Sequence, residues 1–407
     1  MAFLVVLILL LFLPGKSGVY RYLLYIYIIS MLGAVTCGMD YKFTDSKDWL
    51  NFIFYVSMFL LFSLCWRRYY DVIKIKKYDK LKLVLLAKIF CVLAIISTIA
   101  SAYIAYKIIR GPAAIGDIRY GGNIEGFYSS IGISMLTVHI IWIIGATSRF
   151  LIPIGFILLT TENGKLATMC LLCSIAYPMY GMTSATRLDA ISYLIMLLAN
   201  FILFRKIIPK KVFSKLVKIS SIVAIFFIIL LGSITNQRFS DRSEFSLPIS
   251  QKLVDKSPTL ASIVLYSSQH YSNAFHVMRD YQGEKGYGVI NVLPFISYVG
   301  SFCGLEFENQ QEYIDKTCGF YAPFFFGLTP NFLIDFGYFF SLLFAVFFFL
   351  IVYRSKFKKE GVYSVANLLS FQILFMIPSF GIFSTVLALF QFHIAILVLI
   401  IMIIYLR

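Results

Sequence analysis

Charged residues are scarce in this chain. Asp, Glu, Lys and Arg make up only 14% of its 407 residues, whereas 60% are hydrophobic, and the mean hydropathy is +0.84. A soluble globular domain carries roughly 25% charged residues, so that class is excluded. Many apolar runs are 17 residues or longer, enough to cross a hydrocarbon core about 30 Å thick as helices. The composition therefore predicts an all-α, polytopic transmembrane helical bundle.

Sequence signatures of nucleotide and metal chemistry are also missing. The chain contains no Walker A sequence, no GxGxxG after a strand, no HExxH and no GxSxG. Its closest histidine pair, His270 and His276, is six residues apart, a poor spacing for two metal ligands on one helical face. We therefore expect no metal and no cofactor. An enzyme of this kind would have to use a substrate that is already activated and carried by a lipid.

Acidic residues are outnumbered, 20 against 36 Lys and Arg, and the basic excess lies in three short loops. Short basic loops beside apolar spans are typical of the cytoplasmic face of a membrane protein. This distribution favours topology and contact with the lipid bilayer over nucleic-acid binding. The clusters are Arg67, Arg68, Lys74, Lys76, Lys77, Lys80 and Lys82; Arg205, Lys206, Lys210, Lys211, Lys215 and Lys218; and Arg354, Lys356, Lys358 and Lys359.

Parity then constrains the spans, because consecutive cytoplasmic loops must be separated by an even number of crossings. Residues 131–161 therefore count as one long span bent at Pro153. We predict about eleven spans, which places the amino terminus outside. They are 2–14, 19–37, 50–66, 83–106, 131–161, 166–182, 188–204, 219–234, 332–353, 362–380 and 382–406.

One long polar segment, residues 235–330, separates a first bundle part (1–234) from the last spans (331–407). It holds seven Lys or Arg and nine Asp or Glu, which agrees with an outward placement. Its apolar stretches 260–266 and 289–303 predict short helices over the outer end of the bundle. Cys303 and Cys318 would be free to form a disulfide in an oxidising exterior; the sequence leaves their pairing open.

Three arginines lie where apolar spans meet the outer boundary: Arg187, Arg238 and Arg242. A guanidinium group offers bidentate, permanently charged donors that suit phosphate oxygens at headgroup depth. The alternative is that each is an interfacial anchor paired with a nearby acid, such as Asp189 or Asp241.

Histidine provides the candidate for acid–base chemistry. A neutral imidazole near an acceptor hydroxyl can act as a general base, and a packing role is equally open. His270 is preferred because it sits beside Tyr271 in a polar run. The predicted catalytic residues are therefore Arg187, Arg238, Arg242 and His270, and the predicted substrate-binding residues are Arg279, Tyr271, Asp189 and His276.

Four segments carry a diffuse resemblance to a known family over most of the chain. They are Gly38-Met-Asp-Tyr-Lys-Phe, which departs from the commoner form at Thr44; the pair Thr186-Arg187; Asn236-Gln-Arg238; and Gly327-Leu-Thr-Pro-Asn-Phe-Leu-Ile-Asp-Phe-Gly337. In these the chain resembles the bacterial oligosaccharide repeat-unit polymerases, the Wzy O-antigen and capsule polymerases.

The resemblance implies a metal-independent glycosyltransferase of the GT-C type in the bacterial inner membrane, with its active site facing the periplasm. Such an enzyme moves a growing glycan from undecaprenyl diphosphate onto an incoming repeat unit that is also linked to undecaprenyl diphosphate. The arginines would stabilise the diphosphate, with Arg279 as a further ligand. A chain-length regulator protein is an implied partner.

Two alternatives stay open at this point. An O-antigen ligase-like transferase would share the large outward loop and the arginines. A flippase or transporter for lipid-linked glycans would account for the ionisable residues inside spans, Lys88, His139, Asp335 and His393. The missing internal repeat symmetry and the bulky loop disfavour transport.

Overall fold

The computed structural model describes residues 2–15, 17–36, 41–110, 128–161, 163–184, 188–214, 217–218, 221, 225, 258–301, 303–305, 307–308, 310–320, 326–355 and 361–407. Sixteen α-helices are numbered here in chain order within these residues. They are α1 (Ala2–Phe12), α2 (Gly18–Thr36), α3 (Ser46–Leu64), α4 (Lys80–Arg110), α5 (Met135–Thr147), α6 (Leu151–Leu159), α7 (Gly164–Cys173), α8 (Ala176–Gly181), α9 (Leu188–Phe204), α10 (Pro258–Asp280), α11 (Val289–Ser301), α12 (Gln310–Cys318), α13 (Leu328–Ser355), α14 (Val365–Leu374), α15 (Met376–Phe380) and α16 (Phe390–Leu406). Two short strands, β1 (Lys74–Ile75) and β2 (Val362–Tyr363), pair in parallel.

The structure is predominantly helical, as the sequence predicts, and is compatible with an all-α membrane protein. Among the described residues, five helical stretches are long and apolar enough to cross a membrane. They are Gly18–Thr36, Ser46–Arg68, Lys80–Lys107, Met135–Leu159 and Leu328–Arg354. Further apolar helices of 10–17 residues include α1, α9 and α16. The count of eleven spans and the GT-C arrangement stay predictions.

Helix boundaries follow the hydropathy pattern closely in several places. Helix α9 has the predicted bounds, and α2 begins and ends one residue earlier than predicted. The predicted span 131–161 is continuous from Met135 to Leu159 except for a 3-10 turn at Ser148–Phe150. That turn lies just before Pro153, whose ring would clash with the carbonyl of Arg149 in a regular helix. The predicted span 219–234 lies almost entirely outside the described residues.

The chain divides into two compact units, which are described separately. The first comprises Met1–Tyr70, Phe239–Glu360 and Leu374–His393. The second comprises Asp71–Arg238, Gly361–Ile373 and Ile394–Arg407. Both units are discontinuous in sequence. The boundaries predicted at residues 234 and 330 divide the chain by the polarity of its sequence, and they stay a prediction.

The first unit is packed around aromatic side chains from α1, α3 and α10. The Phe3 ring lies 5.1 Å from that of Tyr55 and 5.3 Å from that of Phe59, both edge-on. Tyr55 and Tyr271 also contact Phe275, with ring centroids 5.4 and 5.0 Å apart. Between helices in a membrane such packing replaces the hydrophobic effect as the main attraction, because lipid tails are as apolar as the side chains.

The predicted polar segment is partly helical, as expected, but its first described helix is long. Helix α10 spans 23 residues and packs against α2 and α3. It thus extends well beyond the short helix predicted at 260–266, whereas α11 matches the helix predicted at 289–303. Cys303 is exposed and Cys318 is buried, and both are free thiols, so the disulfide that the sequence permitted is not formed.

In the second unit, residues of two predicted basic loops lie at one end. Asp71, which is buried, accepts a hydrogen bond from Arg205 at 2.9 Å and pairs with Lys206 at 3.4 Å. The backbone N–H of Val72 donates to the carbonyl of Leu203 at 2.7 Å. These contacts join the loop after α3 to the loop after α9; the membrane face on which these loops lie stays a prediction.

Candidate functional site

The sequence-predicted residues fall into three groups. Arg187, Arg238 and Arg242 lie outside the described residues, so their roles stay predictions. His270, Tyr271, His276 and Arg279 all lie on α10 in the first unit. Asp189 lies in the first turn of α9 in the second unit.

Near the start of α3, in the first unit, a buried carboxylate accepts several hydrogen bonds. Asp45 caps this helix by accepting a hydrogen bond from the backbone N–H of Asp48 at 2.9 Å, as an N-cap residue does. Asp48 is fully buried. Its carboxylate accepts hydrogen bonds from the Tyr41 hydroxyl at 2.8 Å and from the Thr44 backbone N–H and hydroxyl at 2.7 and 3.0 Å. Three donors therefore satisfy the buried charge.

Tyr41 connects this acceptor to the end of α10. Its hydroxyl accepts a hydrogen bond from the Arg279 guanidinium at 3.4 Å. Its ring lies 5.3 Å from that of Phe275, in a stacked orientation, and 5.2 Å from that of His276, edge-on. Tyr41 thus holds the last turn of α10 against the segment before α3.

Lys47 reinforces the same junction. Its ammonium group donates to the carbonyls of Arg279 at 2.6 Å and Tyr281 at 3.1 Å. Such bonds satisfy carbonyls that have no partner at a helix C-terminus, where a cation is also favoured by the helix dipole. Arg279, His276 and Lys47 are all exposed. We call Tyr41, Lys47, Asp48, His276 and Arg279 the Arg279 cluster.

Tyr41 and Arg279 each keep one protonation state near neutral pH. Desolvation, and then the hydrogen bond to Asp48, raise the pKa of Tyr41 to about 12. The hydrogen bond to Tyr41 and the nearby carboxylates raise the pKa of Arg279 above its usual value. Tyr41 is therefore a neutral phenol and Arg279 a permanent cation. Within the described residues Arg279 makes one side-chain hydrogen bond, which leaves most of its five N–H donors for an anionic ligand.

The two histidines of α10 have opposite environments. His270 is only 3% exposed, its Nε2 lies 3.4 Å from the Ser30 hydroxyl, and its Nδ1 is buried without a partner among the described residues. Burial lowers the pKa of His270 to about 3. His276 is exposed and lies three residues before Arg279, on the same helical face. Geometry therefore favours His276 as the histidine that a solvent-borne substrate can reach. Tyr271 is 1% exposed in the aromatic core.

A second feature of the first unit is a cavity of about 530 Å³ lined by α11, by Phe307, Glu308 and Gln310, and by residues 388–391 around the start of α16. Its polar lining includes Ser297, Glu308, Gln310 and Gln391. Glu308 also pairs with Lys316. A carboxylate from the predicted polar segment thus lines a recess large enough for a small polar group.

Asp335, in the segment Gly327–Gly337, is a structural anchor. Its fully buried carboxylate accepts hydrogen bonds from the backbone N–H groups of Gly288, Ile290 and Asn291 at 2.8, 3.2 and 3.1 Å. The Asn291 side-chain amide adds a fourth at 2.6 Å. These donors lie at or beside the first turn of α11, which has unpaired N–H groups of its own. These four donors hold the start of α11 against the segment Gly327–Gly337.

In the second unit Asp189 belongs to a buried polar cluster. Its carboxylate accepts a hydrogen bond from the Tyr180 hydroxyl at 2.5 Å. Nearby, the guanidinium of Arg149 lies 4.5 Å from the centre of the Tyr177 ring, and its Nε donates to the Ala146 carbonyl at 2.6 Å. Asp189 is 9% exposed and Arg149 2% exposed. Asp189 therefore contributes to the interior of the bundle.

Sequence reasoning missed Tyr41, Lys47, Asp48 and Arg149. A signal for Lys47 and Asp48 was present, because Asp45-Ser-Lys-Asp48 before an apolar run resembles an N-capping pattern, whereas Tyr41 lies before that pattern. That pattern marks a helix start, but it does not reveal which distant helix packs there. Arg149 carried no signal beyond being an ionisable residue inside an apolar run.

Comparison with known proteins adds no identification: no family model, no curated protein and no solved structure matches the chain.

Proposed function

We propose that this protein is a membrane-embedded, metal-independent glycosyltransferase that polymerises lipid-linked oligosaccharide repeat units. The growing glycan is transferred from undecaprenyl diphosphate to an incoming repeat unit on the same carrier. The proposed location is the bacterial inner membrane, with the active site facing the periplasm. The bilayer and a chain-length regulator are the proposed partners.

One observation carries the proposal. Tyr41, from the segment that resembles the polymerase family near the amino terminus, binds Arg279, from the predicted periplasmic segment. The contact holds an exposed guanidinium at the end of the helices of the first unit, beside Lys47 and His276. An exposed, pre-positioned cation at a bundle end suits the phosphate groups of a lipid-linked substrate.

The proposed reaction is a displacement at the anomeric carbon of the donor glycan. A hydroxyl of the acceptor sugar attacks this carbon, and the bond to the diphosphate oxygen breaks. Undecaprenyl diphosphate leaves with the electron pair, and the hydroxyl proton passes to a base. Negative charge grows on the leaving diphosphate, and pre-placed cations stabilise it. Arg279 is the described residue proposed for this role, together with the sequence-predicted Arg187, Arg238 and Arg242.

Two residues of the first unit are candidates for the base that takes the proton from the acceptor hydroxyl. His276 is exposed next to Arg279 and Tyr41, and Glu308 lines the 530 Å³ cavity. His270 was the sequence-based choice and stays a prediction, although its burial leaves it without access to solvent.

The proposal is tested in a strain that lacks the gene, complemented with the full-length protein. Arg279→Ala should abolish or strongly shorten surface polysaccharide chains, with a loss of at least about tenfold in chain extension. The matched control is Arg68→Ala, an exposed arginine just beyond the opposite end of α3, which should leave chain length unchanged. Long chains from Arg279→Ala protein that is present in the membrane would rule out the assigned role.

A reconstituted assay separates polymerisation from transport and ligation. Lipid-linked repeat units extracted from the deletion strain are supplied to purified protein in liposomes. A polymerase extends them to multiple repeats while they remain on the carrier. Absence of extension by the wild-type protein would reject the proposal. In cells, a deletion strain that retains single capped repeat units supports a polymerase, whereas full-length glycan left on the carrier would indicate a ligase.

A further inference from the structure

A polar cavity in the second unit lies among the basic loops and has no part in the proposed reaction. Its volume is about 640 Å³. Its polar lining comes from β1, the loop after it and the connection between α6 and α7: Lys74, Tyr78, Lys80, Thr160, Thr161 and Asn163. Ile73, Ile75 and Ile207 form its apolar walls.

Within the described part of the chain, neither Lys74 nor Lys80 forms a salt bridge with a neighbouring acid. The Asp79 carboxylate accepts hydrogen bonds from the backbone N–H groups of Leu81 and Lys82 at 2.9 and 3.1 Å, which caps the start of α4. Asp71 is paired with Arg205 and Lys206. Lys74 and Lys80 therefore present two ammonium groups to the cavity, and both are exposed.

Two further groups at the cavity are suited to an anion. The Tyr78 hydroxyl is buried and has no hydrogen-bond partner within the described part of the chain. Leaving a buried hydroxyl without a hydrogen-bond partner is unfavourable, and a bound acceptor would remove that cost. In addition, α7 begins next to Asn163, whose side chain does not cap it. The first N–H groups of a helix favour negative charge.

The surroundings of the cavity indicate a lipid. Helix α4 begins at Lys80 and carries an apolar stripe at four-residue intervals: Leu81, Leu85 and Ile89 are 82%, 51% and 48% exposed. Residues at this spacing share one helical face. Because α4 is long and apolar enough to span a membrane, this stripe suits contact with acyl chains that lead directly to the cavity.

We propose that the cavity binds the phosphate group of an anionic phospholipid, with its acyl chains along the exposed stripe of α4. Lys74 and Lys80 neutralise the phosphate and the Tyr78 hydroxyl donates a hydrogen bond to it. The proposal depends on the protein's membrane character and is independent of the glycosyltransferase activity.

Lipid binding to the purified full-length protein in neutral detergent tests the proposal, with native mass spectrometry as the readout. Phosphatidylglycerol is expected to bind at least about tenfold more tightly than phosphatidylcholine. Lys74→Gln with Lys80→Gln should weaken phosphatidylglycerol binding by about 25-fold, at about fivefold for each lysine. The control pair Lys76→Gln with Lys77→Gln makes the same charge change on residues that do not line the cavity, and should weaken binding less than threefold.

Tyr78→Phe provides a variant that preserves the packing of the ring. It should weaken phosphatidylglycerol binding by about fivefold through loss of one hydrogen bond, with an unchanged gel-filtration profile. Three outcomes would overturn the proposal. Equal losses of affinity in the two lysine pairs would indicate diffuse surface charge, and full affinity in Tyr78→Phe would remove the role of the hydroxyl. Equal binding of the two lipids, with displacement by millimolar inorganic phosphate, would indicate a site for a soluble anion.

Discussion

Arg279 donates a hydrogen bond to the hydroxyl of Tyr41 at 3.4 Å across a sequence separation of 238 residues. The same hydroxyl donates to the buried carboxylate of Asp48 at 2.8 Å. A buried anion therefore orients a neutral phenol, and the phenol orients an exposed cation. Charge-assisted hydrogen bonds of this kind are stronger than neutral ones, so the chain can fix the position of Arg279 without burying it.

Tyr41→Phe tests whether this orientation matters. The ring contacts with Phe275 and His276 remain, while both hydrogen bonds of the hydroxyl are lost. We expect chain extension in the liposome assay to fall by about tenfold and stability to fall by about 1 kcal/mol. Tyr25→Phe, a change at an exposed tyrosine of α2, serves as the control and should extend chains normally. Equal activity in the two variants would show that Tyr41 does not position Arg279 for the reaction.

Asp335→Asn should destabilise the first unit. The amide that replaces one carboxylate oxygen would direct its own N–H groups towards donors at the start of α11. Loss of charged-acceptor bonds at a buried site predicts a decrease of about 2–3 kcal/mol in the free energy of unfolding. Thermal unfolding in detergent measures this decrease. Asp280→Asn, which changes an exposed aspartate, is the control. An unchanged unfolding midpoint would contradict the anchoring role.

Gly181→Ala tests the packing around Asp189 in the second unit. A Cβ at this position would lie 2.6 Å from the Asp189 Oδ2 atom and 2.8 Å from its Cβ. We expect a destabilisation of about 1–3 kcal/mol, typical of overpacking. Gly164→Ala is the matched control, because a Cβ there meets no atom within 4 Å.

A double-mutant cycle assigns the cause of that loss. If the clash with the Asp189 carboxylate is responsible, Gly181→Ala should cost less in an Asp189→Ala background, with a coupling of about 0.5 kcal/mol or more. Strictly additive effects in thermal unfolding would attribute the loss to an atom other than the carboxylate, such as the Asp189 Cβ, which alanine retains.

Because His270 is buried, we expect the protein to lose stability in acid. Burial lowers its pKa in the native protein to about 3, whereas an unfolded histidine titrates near 6.5. Below pH 6.5 the unfolded chain therefore binds a proton that the native protein does not. Stability should fall as the pH falls from about 6.5 towards 3, by up to about 1.4 kcal/mol per pH unit.

Thermal unfolding of His270→Gln between pH 7.5 and 4.5 checks this dependence. The variant should lose part of the acid sensitivity of the wild type. His276→Gln removes an exposed histidine from the same helix and should retain it. Identical pH profiles for wild type and His270→Gln would show that His270 is not the group responsible.

Much of the helical framework could be predicted from the sequence. Helix α9 and the spans at the amino terminus follow from runs of apolar residues, because a helix in a membrane must be apolar along its length whatever its neighbours are. The contacts of Asp71 with Arg205 and Lys206 likewise agree with the basic loops that the charge pattern placed on one face.

The Arg279 cluster could be predicted only in part. Arg279 and His276 were candidates because of their residue types. Tyr41 and Asp48 lie in a different segment of the sequence and were not candidates. His270 was preferred to His276 because it lies beside Tyr271 in a polar run, and the sequence does not show which of the two histidines is buried. Their difference arises from the packing of α10 against α2 and α3, which buries one face of the helix and exposes the other.

The sequence by itself determined that the protein is helical and suited to a membrane, since hydropathy and charge act locally along the chain. Tertiary structure alone decided that Tyr41 and Asp48 meet Arg279, that Asp335 anchors α11, and that Tyr78 and two lysines enclose a cavity. These outcomes depend on contacts between residues tens to hundreds of positions apart. Such contacts depend on the shapes of packed helices, which no local pattern specifies.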